Sequence, residues 1–202
     1  PALMDPSLGR FLKETGAPDI WVECHPRFFQ GGPSIFLQRL TELSEDHCCF
    51  PIIGDLDLLA AMLRESPGVG RIVLKGCEAS GFVSGETTMA LYSAVKELLR
   101  TSSKTLDILI WGGVCTPEAA AALLSTGAAG IVFESVHCLT DLVAVDDDQR
   151  QRLAKLRLDS TDLVGLDLQV PCRLFNKGNS RAFKEVKAIE DSLFEAVITE
   201  ES

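Results

Sequence analysis

The sequence predicts an α/β fold: the C-terminal part of a (β/α)8 TIM barrel, about five βα units, followed by a C-terminal helical extension. Two observations carry that expectation. Short apolar runs alternate regularly with amphipathic or alanine-rich helical segments from Ile20 to Phe133, which is the rhythm of parallel strands joined by crossover helices. Two of those runs open into glycine-rich turns and a third ends in Glu134-Ser135. Loops after strand C-termini are where barrels hold the phosphate of a bound ligand.

Each element has its own local signal. Leu8 to Thr15 reads as a short helix stopped by Gly16 and Pro18, and Ile20 to Cys24 as a buried strand opening into the polar turn His25-Pro26-Arg27. Ser34 is placed to cap a helix running to about Ser44, with Ile35, Leu37, Leu40 and Leu43 on its apolar side. Cys48 to Ile53 is the second strand, Asp55 opens a helix through Leu63, and Arg71 to Leu74 is the third strand. Thr87 to Leu99 is a helix with Met89, Leu91, Val95 and Leu98 facing inward. Leu106 to Trp111 is the fourth strand, capped by Gly112-Gly113. Thr116-Pro117-Glu118 starts a helix with Pro in its first turn, Gly127 stops it, and Ile131 to Phe133 is the fifth strand.

After Thr140 the alternation ends. Val145 to Leu156 reads as helical, Asp159 to Asp167 as irregular, and Val170 to Phe175 as an extended segment leading to Lys177-Gly178. Ser180 to about Val197 is a final helix, with Phe183, Val186, Ile189 and Phe194 spaced to pack on the barrel wall. Residues 1–140 are thus expected to form the barrel units and 141–202 the extension. A closed barrel has eight strands, so the remaining ones are expected before Pro1, where the chain starts without Met, or in another chain. A five-stranded open sheet is the alternative.

Composition bounds the function. With 202 residues and 46% hydrophobic content, the chain can bury a sizeable core as one domain or part of a larger one. A net charge of -10 argues against a nucleic-acid surface, and the clusters Asp146-Asp147-Asp148 and Glu200-Glu201 read as solvated faces. Seven cysteines, most of them inside apolar runs and without paired zinc-site spacing, fit a reducing compartment. No membrane-spanning run and no signal-peptide pattern are visible, so a cytoplasmic protein with no membrane partner is expected.

Three loops gather the candidate chemistry: Gly76 to Gly85, Gly112 to Thr116 and Glu134 to His137. Gly112 and Gly113 would let backbone N–H groups approach a phosphate closely, with the Glu134-Ser135 turn as the other half of the cradle. His25 and His137 both follow strands and could face the barrel mouth, and Cys77 and Cys115 lie near it.

The residues of these loops resemble a specific family. Lys75-Gly76-Cys77-Glu78-Ala79-Ser80-Gly81-Phe82 is similar to the Q/K-G-x-E-A-G-G-H motif of the nitronate monooxygenase (2-nitropropane dioxygenase-like) barrels and the related flavin-dependent enoyl-acyl carrier protein reductases. Thr87-Thr88-Met89, Ile110-Trp111-Gly112-Gly113-Val114 and Gly127-Ala128-Ala129-Gly130-Ile131-Val132 follow in the family's order. The Gly-Glu-Thr-Thr continuation and the late Arg173-Leu174-Phe175 bring it closest to versions embedded in polyketide or fatty-acid-type megasynthases. The resemblance implies FMN, with Gly112, Gly113, Glu134 and Ser135 at its phosphate, Lys75 beside the flavin ring, and Gly76, Glu78 and Gly81 shaping the loop over it. It also departs from the pattern. Phe82 stands at the catalytic histidine, Ser80 at the second motif glycine, and Glu134-Ser135 where the family has Gly-Thr.

Three functions follow as expectations. The first is an FMN-dependent oxidoreductase domain of nitronate monooxygenase or enoyl reductase type within a multidomain synthase. It would act on a small molecule or acyl thioester, with NAD(P)H as electron donor if a reductase; Lys75, His25 and His137 are its candidate catalytic groups. The second is a catalytically degenerate barrel kept as a scaffold or docking module beside the other synthase domains. The third is an aldolase- or isomerase-like barrel for a phosphorylated substrate, working through Lys75 with Glu78.

Overall fold

The computed structural model describes residues 8–16, 19–25, 33–65, 68–102, 104–140, 142–176 and 180–200. A short helix, α1 (Leu8–Thr15), precedes five strands that form one parallel sheet: β1 (Asp19–Cys24), β2 (Cys48–Ile53), β3 (Arg71–Lys75), β5 (Asp107–Trp111) and β6 (Gly130–Val132). They lie side by side in chain order, interrupted only by β4 (Gly81–Phe82), which belongs to a second sheet. The crossovers are α2 (Pro33–Asp46), α3 (Leu56–Glu65), α4 (Thr88–Ser102) and α5 (Pro117–Ser125). This is the progression of a (β/α) barrel, and the five units form a barrel segment.

Side-chain alternation explains why the sheet curves and what lies on each face. Val22, Cys24, Cys49, Ile53, Ile72, Leu74, Ile108 and Ile110 join the core under the helices. Trp21, Glu23, Phe50, Ile52, Lys75 and Trp111 lie at the alternate positions of the same strands. Central β3 is buried on both faces, with Ile72, Val73 and Leu74 at 0% exposure, so its run is continuous rather than alternating. Trp21 and Trp111 lie three strand spacings apart, about 14 Å on a flat sheet, yet their ring centres are 6.3 Å apart. The sheet therefore curls into a concave half-barrel. Trp21 stacks on Phe50 at 5.2 Å within it, and the Arg71 guanidinium sits over Phe50.

The C-terminal region forms α6 (Asp147–Ala154), β7 (Thr161–Val164), β8 (Cys172–Phe175) and α7 (Arg181–Glu200). β7 and β8 pair antiparallel, and β8 also pairs with β4, matching Gly81 to Arg173 and Phe82 to Cys172. Val83 N–H donates to Pro171 O at 3.0 Å, extending the same clamp. The chain's C-terminal part thus grips the loop that follows β3. Glu190 of α7 is buried and accepts from Gly165 N–H at 2.8 Å. Gly165 has φ +76°, and a Cβ there would collide with Val170 O.

Several local expectations are corrected. α2 begins at Pro33, so Ser34 lies in its first turn; Phe36 joins Leu37 and Leu40 inside while Ile35 is 44% exposed. Met89 is 55% exposed, and Tyr92 takes the inward place beside Leu91 and Val95. Asp159 to Asp167 is not irregular, because β7 lies within it. Ile189 is 54% exposed and its neighbour Glu190 turns inward instead, toward the Gly165 N–H. The triad Asp146-Asp147-Asp148 opens α6, with Asp146 Oδ1 accepting from Gln149 N–H. Pro18, Pro26, Arg27, Lys177, Gly178 and the side chain of Phe194 lie outside the described residues.

Candidate functional site

Two clusters occupy the C-terminal ends of the parallel strands. The first is built by the loop after β3, the turn after β5 and Glu134 after β6. Gly76 is fixed by close packing, since a Cβ would lie 2.5 Å from both N and Cα of Thr88. Glu78 Oε2 accepts from Thr88 N–H at 2.8 Å and from its hydroxyl at 2.7 Å. It therefore caps the N-terminus of α4, where a carboxylate also suits the helix dipole. Gly81, Gly112 and Gly113 have φ of +70°, +121° and +70°, conformations that favour glycine. The two glycines after β5 face protein: a Cβ on Gly112 would lie 3.0 Å from Ala79 N, and one on Gly113 3.6 Å from the Glu78 side chain.

Glu134 closes this cluster. Its Oε2 accepts from Ser80 N–H at 3.1 Å and from Trp111 Nε1–H at 3.0 Å, and its Oε1 accepts from the Ser80 hydroxyl. Ser135 begins a 3-10 turn, Ser135–Leu139, and its side chain lies outside the described residues. His137 in that turn meets Phe133 edge-on at 6.1 Å.

The second cluster surrounds a cavity of 420 Å³ at the ends of β1, β2 and β3. The connector between β7 and β8 roofs it with Leu166, Gln169 and Pro171. Lys75, 5% exposed, lines the cavity; its Nζ donates to Glu23 at 3.3 Å and lies 4.4 Å from the centre of the Trp111 ring. His25 lines the same space, its ring 5.9 Å from that of Phe82. Asp55, another lining group, accepts from Leu58 N–H at 2.7 Å and caps α3. Gln169, the one non-glycine residue with positive φ (+56°) among those described, sits in the roof.

The structure therefore brings Lys75, His25 and Phe82 together and leaves His137 apart. It also separates the pair that an aldolase-like reading needs: Lys75 binds Glu23, while Glu78 is held by Thr88. Burial pushes the Cys77 thiol up, with Glu78 adding to the effect and Arg173 working against it. Cys115 is exposed. Among the described residues no group of three or more His, Cys, Asp or Glu could hold a metal ion. Sequence reasoning missed Glu23 as the partner of Lys75, and Trp111 as a donor to Glu134. Both had a signal: a polar-capable residue at the alternate position of an otherwise apolar strand, near its C-terminal end.

Solved structures share this fold. FabK from Thermotoga maritima superposes with a TM-score of 0.71 at 19% identity, covering 98% of this chain and 60% of FabK. The chain shares the fold of FabK. Nitroalkane oxidase from Streptomyces ansochromogenes has a TM-score of 0.60 at 15% identity over 84% of this chain and 48% of that one. The enoyl reductase domain of MlnA from the macrolactin biosynthesis cluster of Bacillus amyloliquefaciens gives 0.60 at 14% identity, over 85% and 47%. The chain thus spans about half to three-fifths of the length of FabK and these relatives in fold. No protein-family model and no curated protein matches the sequence.

The fold that FabK shares raises the FMN implied by the motifs, and the first cluster allows a test of fit. A phosphate at the Gly112-Gly113 turn would face the carboxylates of Glu134 and Glu78. The donors of Ser80 and Trp111 already serve Glu134. Lys75, the cation beside Trp111, is held by Glu23. As arranged, these residues do not fit the phosphate of FMN.

Proposed function

We propose that this chain is a barrel segment of the enoyl reductase type that serves as a scaffold or docking module in a multidomain polyketide or fatty-acid-type synthase, without flavin chemistry of its own. One observation carries the reading: the Glu134 carboxylate engages both Ser80 donors and the Trp111 indole N–H at the strand ends where a cofactor phosphate would be expected. Two further features support it. Phe82, where the resembling family has its histidine, offers no proton acceptor. The β4–β8 pairing ties the loop after β3 to the C-terminal region, giving the mouth its own closure.

A second reading is an FMN-dependent oxidoreductase acting on an acyl thioester with NAD(P)H as donor. Its support is the shared fold and the placement of Lys75 beside a cavity of 420 Å³. The two separate cleanly. The protein is purified, incubated with FMN, desalted, and its visible spectrum recorded, followed by an assay of NAD(P)H consumption with an enoyl thioester. Colourless, inactive protein is the outcome expected of a scaffold. Retained flavin absorbance with turnover would replace that reading by the second.

A further inference from the structure

We propose that Glu134 is a tethered anion, seated in a site formed by the Ser80 N–H, the Ser80 hydroxyl and the Trp111 indole N–H, and that this seat takes a phosphate monoester once the carboxylate is removed. The inference rests on the non-flavin reading above and adds to it the reason the seat is closed and the single change that opens it.

The two Ser80 contacts lie at the exposed edge of the cluster, and the Trp111 contact is partly buried behind them. The three donors come from two separate elements, the loop after β3 and the end of β5, and converge on one carboxylate. Glu134 is 54 residues from Ser80 and 23 from Trp111 in sequence, so local chain stiffness does not dictate the meeting. Hydrogen bonds to an ionised acceptor are the strong ones, and each of these donors is turned toward it. Close packing of Gly112 on Ala79 holds the loop and the turn together independently of Glu134.

A phosphate monoester suits the same donors. Its three terminal oxygens match three N–H or O–H groups, and its charge is of the sign that Glu134 now supplies. With Glu134 present, an incoming phosphate meets a carboxylate instead of free donors, and like charges at this range repel. The residue thus acts as a built-in substitute for the ligand.

The test compares wild type, Glu134→Gly and Glu134→Gln by thermal melting with inorganic phosphate and with FMN, and by quenching of FMN fluorescence. Glu134→Gly is expected to gain binding of both, with Tm raised by about 5 °C or more at a hundredfold excess over Kd. Wild type and Glu134→Gln, whose side chain still fills the seat, are expected to show neither effect. Adding Ser80→Ala to Glu134→Gly should weaken the gained binding at least tenfold. If Glu134→Gly loses its fold without ligand, added phosphate should restore the native circular dichroism, and failure to do so overturns the proposal. A folded Glu134→Gly that binds neither phosphate nor FMN overturns the seat while leaving the non-flavin reading intact. Stoichiometric FMN binding by wild type overturns both.

Discussion

The two ends of the strand-end surface are built in opposite ways. Around Glu134 the polar groups of three loops are closed onto one another, and the glycines after β5 are packed against protein. Around Lys75 a charged residue lines an open cavity with its carboxylate partner at 3.3 Å. The first arrangement is fixed by hydrogen bonds that leave no seat for a ligand anion. The second retains space, a buried ammonium and a strained roof residue, Gln169. The two arrangements stand about two or three strand spacings apart on one barrel mouth. The Glu134 half is closed by its own side chains, and the Lys75 half keeps an open cavity.

The largest expected effect breaks both halves together. Gly76→Ala places a methyl group 2.5 Å from the Thr88 backbone, so the loop after β3 must leave its seat against α4. A loss of about 3 kcal/mol in urea unfolding is expected. A loss below about 0.5 kcal/mol, the range of ordinary surface changes, would show that the loop is free to shift and that the seal is loose.

Glu23→Gln sharpens the cavity side. It leaves the Lys75 ammonium, 5% exposed, facing a neutral amide. Because the Glu23 side chain is 37% exposed, the cost is set well below that of a fully buried pair, at about 1–2 kcal/mol. The same measurement on Glu78→Ala probes the sealed side, where loss of the α4 cap should cost about 1 kcal/mol. Equal and negligible losses would remove the contrast between the two clusters.

The smallest effect concerns the thiols and appears at alkaline pH. Burial pushes the Cys24 thiol well above its ordinary value of 9.0, and Cys49 and Cys172 are raised by the same cause. The folded state then holds these protons more tightly than the unfolded one, so stability is intact below pH 9.0 and falls as pH rises beyond it. The slope for Cys24 is at most about 1.4 kcal/mol per pH unit, and Cys24→Ala should flatten it. Alkylation should reach exposed Cys115 first and Cys24 last; the reverse order would contradict the burial.

Much of this was legible in the residues themselves. The alternation of apolar runs and amphipathic segments located all five parallel strands and the helices between them, because burial on one or two faces imposes those periods. What the pattern did not reveal was pairing at long range. β4 is two residues long, and only its partner β8, about ninety positions later, makes it a strand. β7 leaves little trace in the pattern because Thr161-Asp162-Leu163-Val164 is short and carries a charge, and it is a strand through its antiparallel pairing with β8. At the site, the motif placed Glu134 and Lys75 at the strand ends. Their partners could not be read from it, since Glu23 and Ser80 lie 52 and 54 residues from them and meet only through the curl of the sheet.

The Glu134 carboxylate is held by the Ser80 and Trp111 donors at the barrel mouth. A double-mutant cycle between Trp111→Phe and Glu134→Ala, read by urea unfolding, tests it most directly. The indole-to-carboxylate bond predicts a coupling of about 1 kcal/mol or more. Coupling indistinguishable from zero, with both single variants folded, would contradict the account and reopen the mouth to a bound phosphate.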